Sequence, residues 1–332
     1  MFKQSVRKEH LNFSLTNWLM NTLGLGPGIG DVFYLCVSGG AYHAWLTDDL
    51  KADGDHIFHT LAAAYAATTN ARNDVILAYP GTYTVTAELD WANRYTHLVG
   101  VGGPNIRGYD TYGTQFYTTT ATVARLIDLT GERCQFHNVT FANNGANNAC
   151  LTSFAVRGYG ATLKNSQFIG MMNNTQGACT LASSLEIAGG GSYLEAENCI
   201  IGTTEWGLQA SDTNAPLYFS AAEELPADMK FTNCKVQSYI AATTRALIYA
   251  ASQNAINRDV VFDRCEFYAF SINHAVKCAQ VIVTPGSPST HDVLFKDCAA
   301  INCTAYRTAS NGCTWATGAA AASKSGVAIV TT

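Results

Sequence analysis

The stretch Phe231-Thr232-Asn233-Cys234-Lys235-Val236 recurs five more times along the chain with small changes. Phe136-His-Asn138-Val139-Thr-Phe141, Leu163-Lys-Asn165-Ser166-Gln-Phe168 and Ala196-Glu-Asn198-Cys199-Ile-Ile201 precede it. Phe262-Asp-Arg264-Cys265-Glu-Phe267 and Phe295-Lys-Asp297-Cys298-Ala-Ala300 follow it. From the third position of one copy to the next, the steps are 27, 33, 35, 31 and 33 residues. A period between about twenty and fifty residues reports stacked units that bury a core only against their neighbours. Within each copy the apolar positions break strict alternation around the Asn or Asp. That residue therefore sits in a bend, in the left-handed conformation that Asn and Asp tolerate best. Arg264 departs from the pattern and should interrupt the ladder of stacked side chains at its coil.

A second strand precedes each copy: Leu126-Ile-Asp-Leu129, Phe154-Ala-Val156, Leu185-Glu-Ile187, Leu217-Tyr-Phe219, Leu247-Ile-Tyr249 and Val281-Ile-Val283, with Val327-Ala-Ile-Val330 as a final rung. Each coil thus reads as a strand, a turn, a bent pair of short strands and a variable loop. Alternation sends Leu217 and Phe219 inward and Tyr218 outward.

The bulk composition suits such a stack. The chain has 332 residues, only 14% of them charged, and a net charge of −5 without a block of like charges. Nothing in that balance calls for nucleic acid or an anionic membrane. The eleven cysteines form no Cys-x-x-Cys pair. Cys199, Cys234, Cys265 and Cys298 share one register of the repeat. Strands lie about 4.8 Å apart, whereas disulfide Cβ atoms prefer about 3.8 Å, so the column reads as reduced, buried thiols that pack as small hydrophobes. That reading fits folding in a reducing cytoplasm, and residues 1–10 lead into no apolar run of signal-peptide or membrane-span length.

Residues 1–52 read as an N-terminal arm. They hold an amphipathic segment around Leu11–Leu23, the glycine-rich run 24–30, which lacks nucleotide-loop spacing, and a strand at Asp31–Val37. Asp53-Gly-Asp55 lacks the ligand spacing of a calcium loop and reads as a turn, with Asp55 capping a helix over 56–69. Ile57, Leu61, Ala64 and Tyr65 would line one face of that helix, a lid for the open end of the stack. His56 and His59 lie three apart on it without a third ligand. Then come Asp74-Val-Ile-Leu-Ala-Tyr-Pro-Gly-Thr-Tyr83 and Thr96-His-Leu-Val-Gly-Val101 with its Gly-Gly-Pro turn. An Ala-rich helix followed by these two strands resembles the entry to right-handed parallel β-helices of the pectate-lyase-like superfamily. The resemblance runs from about residue 53 to the C-terminus. It implies an all-β, single-stranded right-handed parallel β-helix over 53–332, and says little about activity, because the superfamily holds lyases, hydrolases, epimerases, tailspikes and inert virion parts.

Enzymes of that superfamily need clustered carboxylates with an Arg or Lys. On the strand that precedes the repeat, Asp128 and Glu186 point outward two coils apart, about 9.6 Å from the strand spacing, with Arg157 between them. This trio is the best catalytic constellation the sequence offers, and solvated charges on a strand face, a common arrangement, are the reading favoured over catalysis. The Asn-Thr-Asp and Gly-His-Gly signatures of polygalacturonase-like hydrolases are absent, the one Asp-Asp pair, Asp48-Asp49, lies ahead of the repeats, and no metal or cofactor motif is present. Asp212, Glu223 and Glu224 read as solubilising loop acids. Tyr218, Ile248 and Ile282 fall at positions that alternation points outward, an apolar stripe that marks a subunit or covering-loop contact. Trp206, Tyr239 and Tyr306 are candidates for stacking on sugars. The resulting expectation is a non-enzymatic virion protein of a tailed bacteriophage (capsid decoration, fibre or tail), self-associating, with a trimer favoured, and attached to other virion proteins through its arm. The alternative is a β-helix that binds or cleaves a surface polysaccharide, such as a tailspike.

Overall fold

The computed structural model describes residues 24, 30–49, 54–102, 113–205, 209–220, 226–252, 255–272, 275–283, 293–306, 315–317 and 328–330. The expected features at Leu11–Leu23, most of the glycine-rich run, Asp53, Trp206, Glu223 and Glu224 lie outside the described residues.

Each repeat contributes one strand to each of three parallel sheets. The first sheet takes the strand before the bend, as in Met229–Thr232, and the second takes the strand after it, as in Lys235–Tyr239. The third takes the strand that follows the variable loop, as in Ala246–Ala250. Eight coils stack this way from Val75–Ala78 to Cys303–Ala305, and the first sheet carries two further strands at its start.

The bend is where the sequence motif becomes geometry. Asn138, Asn165, Asn198, Asn233 and Asp297 all have φ between 49° and 57°. The N–H of each Asn still donates to the carbonyl of the coil above, as Asn198 does to Thr232 at 2.9 Å and Asn233 to Asp263 at 2.9 Å. The turn thus changes direction without opening the hydrogen-bond ladder. Asn198 Nδ2 also donates to Asn165 Oδ1 at 3.1 Å, a side-chain rung beside the backbone ones. Arg264 takes the same left-handed conformation, φ 56°, and keeps its backbone bond to Lys296. It does so against the steric cost of Cβ in that region, about 1–2 kcal/mol for an ordinary residue. Asn233→Ala should therefore lower unfolding free energy by about 1 kcal/mol, and Arg264→Asn should raise it by about 0.5 kcal/mol. Urea unfolding of the two variants checks both signs.

Inward columns fill the solenoid. Phe231, Phe262 and Phe295 stack at 4.8 and 5.0 Å with ring planes within 19°. Tyr83, Phe116, Phe141 and Phe168 form a second stack on the second sheet. Each buried aromatic of this kind contributes about 1.5–3 kcal/mol by removal from water. Cys199, Cys234 and Cys265 are buried in their column, Cys298 is half-buried, and the ten described cysteines are free thiols. Hydrogen bonds from one thiol to the next, together with burial, push Cys234 well above its ordinary pKa and Cys265 up to about 12. Such thiols are inert packing groups.

The N-terminal end departs from expectation in three places. Val32–Leu35, assigned above to the arm, is a strand of the first sheet paired with Val75–Ala78, so the sheet starts inside 1–52. The helix expected over 56–69 covers only Leu61–Ala66, and Thr60, not Asp55, caps it by accepting from the Ala63 N–H at 3.2 Å. Asp55 lies in the 3-10 turn Gly54–His56, and Ile57–Phe58 adds a short strand beside Tyr34 and Leu35. Pairing with an open sheet edge satisfies those backbone groups and overrides helix propensity. The short helix still closes the core: Leu61 and Ala64 are buried, and Tyr65 packs on Trp91 at 4.6 Å. His56 stacks on Phe33, and His59 Nδ1 lies 2.9 Å from the Cys36 carbonyl. The helix Ala41–Ala44 continues into the π-helical turn Trp45–Asp49, which buries Leu46 with Tyr34, Val75, Leu77 and Val99 on the outer side of the same sheet. At the other end, Ala328–Val330 is not a further rung. It pairs antiparallel with Trp315–Thr317.

Two histidines sit buried on the first sheet. Burial holds His97 at about 4, with His137 as a second cause, and burial with Lys164 holds His137 at about 4. Both values lie below the ordinary imidazole pKa, so the unfolded chain binds more protons between about pH 6.5 and 4. Stability is therefore full above pH 6.5 and falls as pH drops toward 4, by about 3 kcal/mol per histidine. Denaturant midpoints measured from pH 7.5 to 4.5 should show this loss, and His137→Gln should remove part of it.

Candidate functional site

The third sheet places Asp128, Ala155 and Glu186 in one outward column, by the pairings Asp128↔Ala155 and Ala155↔Glu186. This is the arrangement expected from alternation. The same column continues through Asp90 on one side and through Tyr218 and Tyr249 on the other. Arg157, in the turn after Val156, reaches back over the face: Nε donates to Asp128 Oδ1 at 2.7 Å, and Nη2 lies 3.8 Å from Glu186 Oε1.

Two further groups belong to the cluster. Arg125 Nε donates to Glu186 Oε2 at 3.1 Å, and Arg125 Nη1 lies 3.8 Å from Glu88 Oε1. Burial acts to lower the Arg125 pKa, but Glu186, Asp128 and Glu88 outweigh it and hold the guanidinium firmly protonated. Glu88 was within reach of the sequence, since it shares parity with the outward Asp90. Arg125 was not. It precedes the strand Ile127–Leu129, where alternation has not yet begun to govern direction.

The result is a zigzag of charge, Glu88–Arg125–Glu186–Arg157–Asp128, in which every acid has an arginine. The Glu186 side chain is only 10% exposed and that of Asp128 19%. Above them Tyr218 is buried and stacks on Tyr249 at 6.0 Å, and burial, Glu186 and Tyr249 push its phenol up to about 12. The arginine contacts fix the two carboxylates in place, Asp128 through one hydrogen bond from Arg157 and Glu186 through one from Arg125. Among the described residues, no group of three or more His, Cys, Asp or Glu side chains is placed to hold a metal ion.

The apolar stripe expected at Tyr218, Ile248 and Ile282 does not form. Ile248 pairs with Leu217 and with Ile282, so both isoleucines stand in the inward column. They are 0% and 1% exposed and belong to the main core. Tyr218 does face outward, and its outward neighbour is Tyr249. A slip of one residue in register moves every side chain to the opposite face. Of the proposed sugar-stacking residues, Tyr306 packs on Phe295 and donates to the Cys298 carbonyl, and Tyr239 packs on Phe270.

No protein-family model matches the chain, and no curated protein matches it by sequence. Among solved structures it is similar to the pectin methylesterase PemA from Erwinia chrysanthemi, with 14% identity, a TM-score of 0.53, and coverage of 88% of this chain and 83% of that one. The fold is a right-handed parallel β-helix. A pectin methylesterase from Aspergillus niger aligns over 91% of this chain and 94% of its own, at 14% identity and a TM-score of 0.49. A Geobacillus virus E2 protein, ORF18, aligns over 76% of this chain and 56% of its own, at 10% identity and a TM-score of 0.40. In the β-helix described here, the charged zigzag lies on the outer face of the third sheet, and its acids are ion-paired.

Proposed function

We propose that the chain is a non-catalytic structural component of a tailed-phage virion, with the β-helix as a rigid scaffold. The observation that carries this reading is the ion pairing of the candidate acids: Asp128 accepts from Arg157, Glu186 accepts from Arg125, and Glu88 lies 3.8 Å from Arg125. The charge cluster then holds neighbouring coils together. Asp128 and Glu186 come from coils separated by a third, and Arg157 rises from that third one. The virion setting draws support from the charge-poor composition and from the free thiols of the cysteine column, which suit assembly in a reducing compartment. Sedimentation of phage particles through a density gradient tests it. The chain should travel with capsid or tail proteins, and recovery only at the top of the gradient would overturn the reading.

One observation favours the second reading, a polysaccharide-binding or -cleaving spike. The zigzag is partly open, with Arg157 29% exposed, and lies beside the Tyr218–Tyr249 pair. Incubation with host surface polysaccharide separates the two. The scaffold reading expects no new reducing ends or unsaturated uronates from the native chain, and Asp128→Ala then changes only stability, by about 1–3 kcal/mol. Depolymerisation that is lost in Asp128→Ala would establish the second reading.

A further inference from the structure

The outer face of the second sheet changes character along its length. In the middle coils its outward residues Gln115, Thr140, Gln167 and Ile169 are buried. In the last coils the same columns carry Lys235 and Glu266, then Gln237, Tyr268 and Ile301, while Tyr239 and Phe270 form a third. These side chains are half-buried or exposed, with Ile301 44% exposed and Ile272, just past the strand, 61% exposed. Tyr239 and Tyr268 both meet the Phe270 ring, at 5.5 and 6.4 Å, and Lys235 Nζ lies 5.1 Å over Tyr268. A continuous aromatic strip of this kind on a flat sheet face marks a contact surface.

We propose that this strip is the interface of a twofold homodimer in which two solenoids pack with antiparallel axes. The charge pattern selects a second copy as the occupant. Lys235 and Glu266 occupy one column on adjacent coils and bond each other at 2.9 Å. A twofold axis midway between those coils sets Lys235 opposite Glu266 of the second copy, and Glu266 opposite its Lys235. The same operation sets Tyr239 against Phe270 and Gln237 against Tyr268, so aromatic meets aromatic and the amide meets a phenol. A threefold axis along the solenoid keeps each residue at its own height in every copy, so Lys235 and Glu266, one coil apart, would not be brought opposite each other. The twofold contact thus relocates self-association from the third sheet, where Ile248 and Ile282 are core, to the second.

Light scattering of the full chain after size exclusion, over a hundredfold range of concentration, tests the proposal. The native chain should give the mass of a dimer, and Tyr268→Asp should give a monomer with unchanged circular dichroism and melting. Glu266→Lys should weaken dimerisation about tenfold, and the double exchange Lys235→Glu with Glu266→Lys should restore it. Should Tyr268→Asp lose its folded spectrum, the charge exchange alone carries the test, since both of its positions are half-exposed. A monomeric native chain, a trimer, or a dimer whose Kd ignores both Tyr268→Asp and the charge reversals would overturn the twofold interface.

Discussion

Ile248→Asp is expected to abolish the folded state, whereas Tyr249→Asp, one residue on, is expected to leave it intact. Ile248 is fully buried between Leu217 and Ile282 in the core of the β-helix. A carboxylate there would sit among apolar core side chains, and removing an unpaired charge from water costs several kcal/mol beyond the packing it replaces. Ile248 is also a full-sized core side chain whose loss alone costs about 2–5 kcal/mol. Together these terms are comparable to the whole stability of an ordinary domain, about 5–15 kcal/mol. Tyr249 is half-exposed on the opposite face, where it loses a ring contact with Tyr218 worth about 1 kcal/mol. Far-UV circular dichroism and soluble yield report the contrast. A folded, soluble Ile248→Asp beside a collapsed Tyr249→Asp would show that the strand runs in the other register.

That register is also where the sequence was least legible. In Ala246–Ala250 four of five residues are buried and all five are apolar or aromatic, so no alternation distinguishes the two faces. Strands buried on both sides read this way, and their register is set by neighbours rather than by local pattern. The similarity of Leu247-Ile-Tyr249 to Leu217-Tyr-Phe219 points Ile248 outward, whereas Ile248 is the residue that pairs with Leu217; Asp128 and Glu186, polar residues flanked by apolar ones, declare their face. The bend was legible for the opposite reason. Asn is cheap in the left-handed region, so the backbone geometry left a chemical mark at each coil. A second turn with positive φ, at Tyr95, Arg133, Gly160, Tyr193 and Asp228, left none, because four different residue types occupy its five positions.

The charged site was half legible. Asp128, Glu186 and Arg157 come together as expected, but Arg125 completes the cluster from outside its strand. Its presence turns a pair of candidate acids into an ion-paired staple. The capping helix was overextended for an energetic reason as well. His56 to Thr60 has helical neighbours in sequence, yet the open edge at Val32–Leu35 offers backbone hydrogen bonds that a frayed helical turn does not.

The entry to the solenoid rests on Asp74, and Asp74→Ala is expected to cost about 2–4 kcal/mol. The side chain is fully buried yet has four donors. It accepts from the backbone N–H groups of Asp31 at 2.9 Å and Thr69 at 2.6 Å, and from Arg72 Nε and Nη2 at 2.7 and 2.8 Å. Arg72 in turn bonds Asp31 at 2.8 Å, so a single carboxylate ties the strand before Val75 to the end of the capping helix and to the first strand of the sheet. Gly30 lies so close that any Cβ there would meet Asp74 Oδ1. Removing the carboxylate leaves two part-buried N–H groups, of Asp31 and Thr69, without their acceptor, each worth about 1 kcal/mol, and leaves Arg72 with Asp31 alone. Asp74→Asn keeps the shape but offers one acceptor oxygen where two are used, and its amide N–H₂ would face Arg72. It should therefore recover less than half of the loss. Gly30→Ala should destabilise through that contact and through the Arg72 carbonyl oxygen, which the same Cβ would meet; Asp74→Ala relieves only the first, so the double variant should cost somewhat less than the sum of the two. Chemical denaturation of the four chains measures that coupling. Additive costs would show that Gly30 and Asp74 act independently, against the geometry described.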